Sequence, residues 1–216
     1  MLAGSFCSGK CLEYIYSKMC DEYYVIAPTY NGLYEGSEPF TTRQNEAMEI
    51  AKYLLKHNIS CVKMIYGQSM GTEIGMELLR QLIEKNIKVE YAFFDGAPMI
   101  KLSRPYKAFM YFKFSSMVKI FKGKNIDDVM NMKFLKQFVG NKINTMKSLL
   151  EAVVEVAPFI SLQTIKNQTE CCYTFDFPQM SEKMQKNIYF YYGSDEKAYK
   201  TCYKKLKKYI LMQGIK

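Results

Sequence analysis

The chain contains little histidine or arginine, and each of these two shortages argues against a class of function. Its 216 residues include no tryptophan, one histidine and three arginines, and no apolar run approaches the roughly 18 residues that a membrane span needs. A single histidine argues against a zinc centre. Base readout and bidentate phosphate contacts favour arginine, so the 27 lysines do not indicate a nucleic-acid partner. We therefore expect no metal, no cofactor and no nucleic acid.

The cysteines and the start of the chain bear on its compartment. The first residues show neither a basic n-region nor an apolar h-region, so no signal peptide is predicted. Seven cysteines form an odd number without paired metal spacing, which indicates reduced thiols in a cytoplasmic protein. The adjacent Cys171 and Cys172 are interpreted as packing residues rather than a redox pair.

The formal charge of +9 is concentrated in two stretches. Residues 99–125 contain seven basic residues and no acid, and residues 197–216 contain seven lysines and no acid. Solvated lysine faces are the default interpretation of both. The alternative is peripheral membrane association through the basic, aromatic stretch 101–124, because each basic residue near an anionic bilayer contributes about 1 kcal/mol.

Residues 67–71, Gly-Gln-Ser-Met-Gly, lie between a buried-strand pattern at 61–66 and a helical pattern at 72–85. In this strand–turn–helix setting G-x-S-x-G indicates a nucleophile elbow. Larger side chains beside the serine would collide with strand and helix, so the turn exposes Ser69 at the strand's carboxyl end and predicts a positive φ for it. The amide of Met70, at a helix N-terminus, would favour a developing oxyanion. The alternative is a structural glycine turn.

The single histidine, His57, does not suit the role of a base for Ser69. It ends a helical pattern that runs up to the amino-terminal end of the serine's strand, where the helix dipole favours it. Six strand residues at ~3.3 Å each separate it from Ser69 by about 20 Å. A catalytic triad therefore cannot close with the residues present.

The rest of the chain reads as an α/β core interrupted by helices. Residues 23–27, 61–66, 88–95 and 187–192 have strand patterns, and Thr41 with Gln44 reads as a capping box. Strands alternating with helices predict a mostly parallel sheet flanked by helices. Residues 99–186 read mostly helical, with helices predicted at 106–121, 130–139, 143–156 and 160–167 and a short strand at 171–175. We predict a core of residues 1–98 and 187–216 with a helical cap, 99–186, inserted into it.

These motifs together resemble the α/β-hydrolase superfamily, in particular small bacterial serine hydrolases with a helical cap. The resemblance covers roughly residues 3–200, and the elbow is its specific part. The supporting segments are Ala3-Gly4-Ser5-Phe6 at the oxyanion turn, residues 30–37 at the glycine-rich loop, Asp95-Gly96-Ala97-Pro98 leading into the cap, and Tyr192-Gly193-Ser194-Asp195 at the acid turn.

The resemblance implies a role for each of these positions. Ser69 would be the nucleophile and Asp195 the triad acid. The amides of Met70 and Ser5 would form the oxyanion hole, with Phe6 as the alternative second donor.

Two other carboxylates could serve as the acid, and both ends of the chain depart from the family pattern. Glu196 and Asp95 are the alternative acids, and a strand-end turn carboxylate is an equally good interpretation of Asp95.

Only Met1 and Leu2 precede the oxyanion turn, where family members have strands. A helix, a strand and two loops before the triad histidine need about 25 residues, and 21 follow Asp195. These departures predict a fragment truncated at both ends, with a short pseudoenzyme or a different arrangement as alternatives.

The predicted function is that of an esterase or lipase-like hydrolase acting on a small-molecule acyl substrate, with little activity in this chain because the histidine is missing. Aromatic residues and methionines of the stretch 109–117 suggest an apolar acyl site, and packing inside the cap explains them equally well. The rival is a noncatalytic binding protein of the same fold. The acyl group, the leaving group and the oligomeric state do not follow from the sequence.

Overall fold

The structure is organised around a parallel sheet. It is a computed structural model, and it describes residues 1–133, 136, 146–177, 181–193, 199, 202–204 and 206. Its strands in the described residues are β1 (Cys61–Gln68), β2 (Lys88–Asp95) and β3 (Ile188–Tyr191), in the order β1-β2-β3. Both pairings are parallel, and Gln68 of β1 lies opposite Asp95 of β2. Leu2 adds a parallel bridge to Gly67 on the other edge of β1. The carboxyl ends of these strands therefore meet at one edge of the sheet.

Helices occupy most of the remaining described residues. They are α1 (Glu13–Tyr16), α2 (Arg43–Lys56), α3 (Met70–Glu84), α4 (Arg104–Phe121), α5 (Ile126–Met130), α6 (Lys147–Val156), α7 (Leu162–Tyr173) and α8 (Glu182–Gln185), with short 3-10 segments at Gly9–Leu12 and Ala157–Phe159. Within the ranges above, no helix is both long enough and apolar enough to cross a bilayer.

Helix α3 packs closely on the sheet and forms the centre of the core. A Cβ added to Gly75 would lie 2.7 Å from a ring carbon of Phe94, so a larger residue would push the helix away. Ile65 and Phe94 point toward α3 and are buried. Gly75 therefore lets the helix approach the sheet closely.

The strand predictions hold for the sheet and fail at two other segments. The predicted strands at 61–66, 88–95 and 187–192 are confirmed as β1, β2 and β3. Residues 23–27 form no strand, because among the described residues one backbone bond joins them to the segment that bridges β1, from the Met1 amine to Ile26 O at 2.8 Å. The predicted strand at 171–175 is wrong, since α7 continues to Tyr173 and only Thr174 forms a bridge, with Lys101.

Two helix predictions also need correction or fall partly outside the described residues. The N-cap of α2 is Thr42 rather than Thr41, because the Thr42 hydroxyl accepts the Asn45 amide at 3.2 Å. A helix was expected over 130–139, but α5 ends at Met130, and most of the following residues lie outside the described part. The helices expected at 106–121, 143–156 and 160–167 correspond to α4, α6 and α7. The division into core and cap stays a prediction.

Candidate active site

Ser69 occupies the single residue between β1 and α3. Its φ is 51° and its ψ is −121°, a conformation that non-glycine residues rarely adopt. The positive φ predicted from the sequence is confirmed. Such strain costs about 1–3 kcal/mol and persists only where the surroundings impose it. The Ser69 amide donates to Asp95 O at 2.8 Å, and Ser69 O accepts from Thr72 N at 2.9 Å, so both neighbouring elements hold the turn.

The two glycines around Ser69 are required by close backbone contacts. A Cβ on Gly67 would lie 2.5 Å from Gly71 O, in the first turn of α3. A Cβ on Gly71 would lie 2.6 Å from Ala3 O and closer still to Leu2 O. The predicted collisions are confirmed, and one of them involves the Leu2–Ala3 segment, which the sequence did not reveal as a neighbour. The elbow therefore fits tightly between the helix and this segment.

Two backbone amides beside Ser69 are suited to bind a developing negative charge. Met70 is the first residue of α3, where the amide has no partner within the helix. Gly4 lies two residues after the bridged Leu2, and a Cβ built on it would lie 3.5 Å from Ser69 Cβ. Ser5 is the next residue, so its amide follows the backbone that contacts Ser69. Among the described residues no acceptor is found for the Ser5 or Met70 amide.

Phe6, the alternative second donor, already uses its amide. Phe6 N donates to Oε1 of Gln168 at 3.0 Å, and its φ of 59° lies in the left-handed region. Gln168 is fully buried on α7. Ser5 Oγ lies 3.3 Å from Sγ of Cys172, one turn later on the same helix. The Phe6 amide is thus engaged by a side chain of α7. No local sequence signal indicated that Gln168 and Cys172 contact this segment.

Of the three candidate acids, the structure describes only Asp95. Asp195 and Glu196 lie outside the described residues. Asp95 ends β2, and its carboxylate accepts a hydrogen bond from the Tyr66 hydroxyl at 3.0 Å. Side chains alternate along a strand, so Tyr66 and Asp95 lie on the face away from Ile65, Phe94 and α3. Burial, with the Asp95 charge next, raises the pKa of Tyr66 and keeps it a donor. This bond supports the strand-end interpretation of Asp95.

His57 is the C-cap of α2, as predicted. Its ring stacks on Tyr53 with centroids 4.0 Å apart, and Nδ1 lies 2.8 Å from Tyr53 O. Since β1 begins at Cys61 and Ser69 follows its last residue, His57 and Ser69 lie at opposite ends of this strand. The structure does not bring them together.

A buried carboxylate, Glu73, lies one helical turn after Ser69. Its side chain is fully buried, and Oε1 accepts the Met99 amide at 3.3 Å, whereas Oε2 has no partner among the described atoms. Burial raises the pKa of Glu73 well above the usual value for a glutamate. The burial of Glu73 could have been inferred from helical spacing, because Glu73 lies on the same helical face as Met70 and Glu77, both of which are buried.

The described part of the chain contains no group of three His, Cys, Asp or Glu side chains arranged to bind a metal ion. Cys171 and Cys172 are both buried in α7, consistent with packing residues.

Comparison with known proteins identifies the fold. No protein-family model and no curated protein sequence matches the chain. An α/β-hydrolase family protein from Desulfitobacterium hafniense aligns with a TM-score of 0.68 and 17% identity, over 99% of this chain and 82% of that chain. MGS-M2, an α/β-hydrolase enzyme from a deep-sea metagenome library, aligns with a TM-score of 0.68 and 12% identity, over 100% of this chain and 78% of that chain. The esterase RhEst1 from Rhodococcus sp. aligns with a TM-score of 0.62 and 15% identity, over 100% of this chain and 79% of that chain.

The chain therefore has the α/β-hydrolase fold. This confirms the fold class that the sequence resemblance implied, a parallel sheet flanked by helices with the serine turn at its carboxyl edge.

Proposed function

We propose that this protein is a serine hydrolase that acts on an ester or other acyl substrate through Ser69. One observation carries the proposal. Ser69 is held at a positive φ of 51° at the carboxyl end of β1, with the backbone of Gly4 against it. A strained polar residue at this edge of a parallel sheet is typical of a nucleophile rather than of a structural turn. Structural neighbours that are named as esterases and hydrolases support the same class of reaction.

In the proposed reaction, Ser69 Oγ attacks the substrate carbonyl carbon, and the amides of Met70 and Ser5 stabilise the oxyanion. Collapse of this intermediate breaks the bond to the leaving group, which departs with a proton. Water then attacks the acyl-serine, restores the Ser69 hydroxyl and releases the acid. Gln168 supports this arrangement because it holds the Phe6 amide and so fixes the segment that presents Ser5.

The proton acceptor is the incomplete part of this site. The chain has one histidine, which caps α2 at the far end of β1. We propose Asp195 as the acid of the complete site, with Asp95 and Glu196 as alternatives. Without an imidazole beside Ser69, activity reduces to what the oxyanion donors and substrate binding supply, so turnover by this chain is expected to be weak.

The segment between β2 and β3 is proposed as the cap that selects the acyl group. Phe114 of α4 packs on Phe6, with ring centroids 5.2 Å apart, and faces Tyr173 at 6.5 Å. It is the aromatic of α4 that reaches the oxyanion segment. Phe109 and Phe112 are 61% and 69% exposed, so they do not contribute to an enclosed site.

Labelling with a fluorophosphonate tests the serine directly. The probe should react slowly at Ser69, with loss of fluoride, and exogenous imidazole should accelerate the reaction because it supplies the missing base. Mass spectrometry of the labelled peptide identifies the site. Ser69→Ala should abolish both reactions. Ser60→Ala, which alters an exposed serine at the other end of the same strand, should react like the parent protein.

Two outcomes would contradict the proposal. Labelling that persists in Ser69→Ala would remove the assigned nucleophile. Fast p-nitrophenyl ester turnover without imidazole, abolished by Ser69→Ala, would show that another group of this chain acts as the base.

The second candidate function is a noncatalytic binding protein of this fold that associates with anionic membranes. The solvent side of α4 favours it, because Tyr106, Phe109 and Phe112 are 66%, 61% and 69% exposed. The exposed Lys113 lies among them on α4, whereas Lys107 turns away and pairs with Glu170 at 2.6 Å. Exposed aromatic and basic side chains on one helix face fit a lipid interface.

Co-sedimentation with anionic vesicles at ~0.15 M salt, where the Debye length is ~8 Å, tests this second function. The double substitution Phe109→Ala and Phe112→Ala should release bound protein. Leu162→Ala, at an apolar side chain 65% exposed on α7, is the matched control and should leave binding unchanged. Parent protein that stays in the supernatant would exclude the membrane function.

A further inference from the structure

Glu73 is a buried carboxylate without an ion-pair partner in the described part of the chain. It is the fourth residue of α3, and its side chain is fully buried. Oε1 accepts a hydrogen bond from the Met99 amide at 3.3 Å, whereas Oε2 has no partner among the described atoms. None of the salt bridges between described residues includes Glu73. Ionisation of a carboxyl group in such surroundings is costly, so burial favours its protonated form.

The place of Glu73 on α3 brings its carboxyl group close to the first proposed oxyanion donor. Met70 is the first residue of α3, and Glu73 lies three residues later on the same face of the helix. Side chains of a helix lean toward its amino terminus, so the Glu73 carboxyl group lies over the first turn. We estimate that it is roughly 5–8 Å from the Met70 amide, since one helical turn rises by ~5.4 Å.

Contacts with α7 and with the segment after β2 bring Glu73 close to the second proposed donor as well. The Cys172 thiol lies 3.3 Å from Ser5 Oγ. Burial, and after it the Glu73 charge, raises the pKa of the Cys172 thiol, so Glu73 acts on a group that touches Ser5. Met99, whose amide Glu73 accepts, follows β2, and the last residue of β2 accepts the Ser69 amide at 2.8 Å. The carboxyl group therefore lies among the segments that hold the elbow and the oxyanion turn.

The other titratable groups around Glu73 do not balance a negative charge there. From α7, three buried groups interact electrostatically with Glu73: Cys171, Cys172 and Tyr173. Burial raises the pKa of each of them, which favours their uncharged forms. Burial also raises the pKa of Glu73, and Arg43 of α2 opposes this as the weakest contribution. On α3 itself, Glu77 is already paired with Arg80 at 2.6 Å.

We propose that Ser69 reacts efficiently only while Glu73 is uncharged, because an ionised Glu73 opposes the negative charge that develops at the Met70 and Ser5 amides. This inference rests on the proposed hydrolase function and assigns an electrostatic role to a residue that does not touch the substrate. At ~7 Å and an effective dielectric constant of ~20–40, the repulsion corresponds to a rate effect of about tenfold or more. The protonated side chain exerts no such repulsion and still accepts the Met99 amide.

The pH dependence of fluorophosphonate labelling tests this role. Rate constants for labelling of Ser69 are measured from about pH 5 to about pH 10 in the parent and in Glu73→Gln, with imidazole at one fixed concentration. Glutamine keeps an oxygen that can accept the Met99 amide, but it cannot ionise. The two rates should agree at low pH, and the parent should fall about tenfold below the variant as the pH rises. The ratio of the two rates cancels the titration of imidazole, which is common to both.

Two further variants separate the charge of Glu73 from its packing. Glu77→Gln removes a carboxylate one turn later on the same helix face, where Arg80 already balances the charge, so its pH profile should follow that of the parent. Glu73→Met removes both the charge and the acceptor of the Met99 amide. If Glu73 acts only by holding Met99, the methionine variant is slower than the parent at every pH and the glutamine variant is unchanged. Glu73→Met also supplies an uncharged side chain if Glu73→Gln fails to fold, which circular dichroism reports.

The outcomes distinguish this inference from the hydrolase function on which it rests. A ratio of parent to Glu73→Gln rates that stays constant over the whole pH range overturns the role of Glu73 and leaves Ser69 as the nucleophile. If Ser69 is labelled in none of these proteins, the hydrolase function and the role of Glu73 are both wrong.

Discussion

Gly71→Ala should destabilise the protein although it places a better helix former in α3. Alanine is favoured over glycine in a helix by about 1 kcal/mol at most. Against this, the new Cβ would lie 2.6 Å from Ala3 O and closer still to Leu2 O. Both contacts are backbone atoms of a segment bonded to β1, so they cannot rotate away. Overpacking of this kind costs about 1–3 kcal/mol, and we expect a net loss of about 1–2 kcal/mol.

Thermal unfolding followed by circular dichroism measures this loss. For a chain of this size 1 kcal/mol corresponds to about 2–4 °C, so the midpoint should fall by about 2–8 °C. Gly193→Ala is the control without a clash or a left-handed φ, and Gly36→Ala is the control with a φ of 74° and no atom within 4 Å. Gly193→Ala should change stability by less than about 0.5 kcal/mol, and Gly36→Ala should lose about 1 kcal/mol. If Gly71→Ala unfolds at the same midpoint temperature as Gly193→Ala, the close approach of the elbow to the Leu2–Ala3 segment is refuted.

Three further substitutions test the surroundings of the elbow. Ser69→Gly should be more stable than Ser69→Ala by about 1 kcal/mol in urea unfolding, because only glycine tolerates the positive φ without strain; equal midpoints would argue against stored strain. Burial raises the pKa of Glu73 in the folded state above its unfolded-state value of about 4.3. The contribution of Glu73 to the free energy of unfolding is therefore fully present below pH ~4.3 and is lost as the pH rises through the folded-state pKa. Glu73→Gln should therefore gain on the parent protein as unfolding is measured from about pH 4.3 toward neutrality and beyond, whereas the exposed Glu35→Gln should show no such trend. Gln168→Ala leaves the buried Phe6 amide without its acceptor and should cost about 1–3 kcal/mol in the same urea assay; an unchanged midpoint would show that water replaces the side chain.

The strands of the sheet and the elbow could be predicted because their causes are local. The run at 88–95 is rich in strand-forming side chains, and its predicted bounds are those of β2. The elbow depends on glycines two residues on either side of Ser69, so a five-residue pattern carries the information. The left-handed φ of Ser69 followed from the same local argument and is confirmed.

The errors arose where tertiary contacts decided the outcome. Residues 23–27 have strand-forming side chains, yet in the described part of the chain one backbone bond, from the Met1 amine to Ile26 O, joins them to the segment that bridges β1. Residues 171–175 also have strand propensity, but Cys171 and Cys172 are buried within α7, which runs on to Tyr173. Propensity is overridden in both cases by which neighbours a segment meets.

The oxyanion side of the site shows why sequence reasoning reached only half of it. Ser5 could be assigned by resemblance, but its orientation depends on Gln168, which binds the Phe6 amide from 162 residues away, and on Cys172 beside the Ser5 hydroxyl. Asn167 on the same helix donates to Phe40 O at 2.7 Å, so α7 also holds the loop that follows the glycine-rich segment. One helix of the predicted cap thus fixes two core segments through side-chain contacts. Because α7 is bound in this way, substitutions on its core-facing side should disturb the proposed oxyanion donors, Ser5 and Met70, whereas the exposed aromatics of α4 can change without moving them.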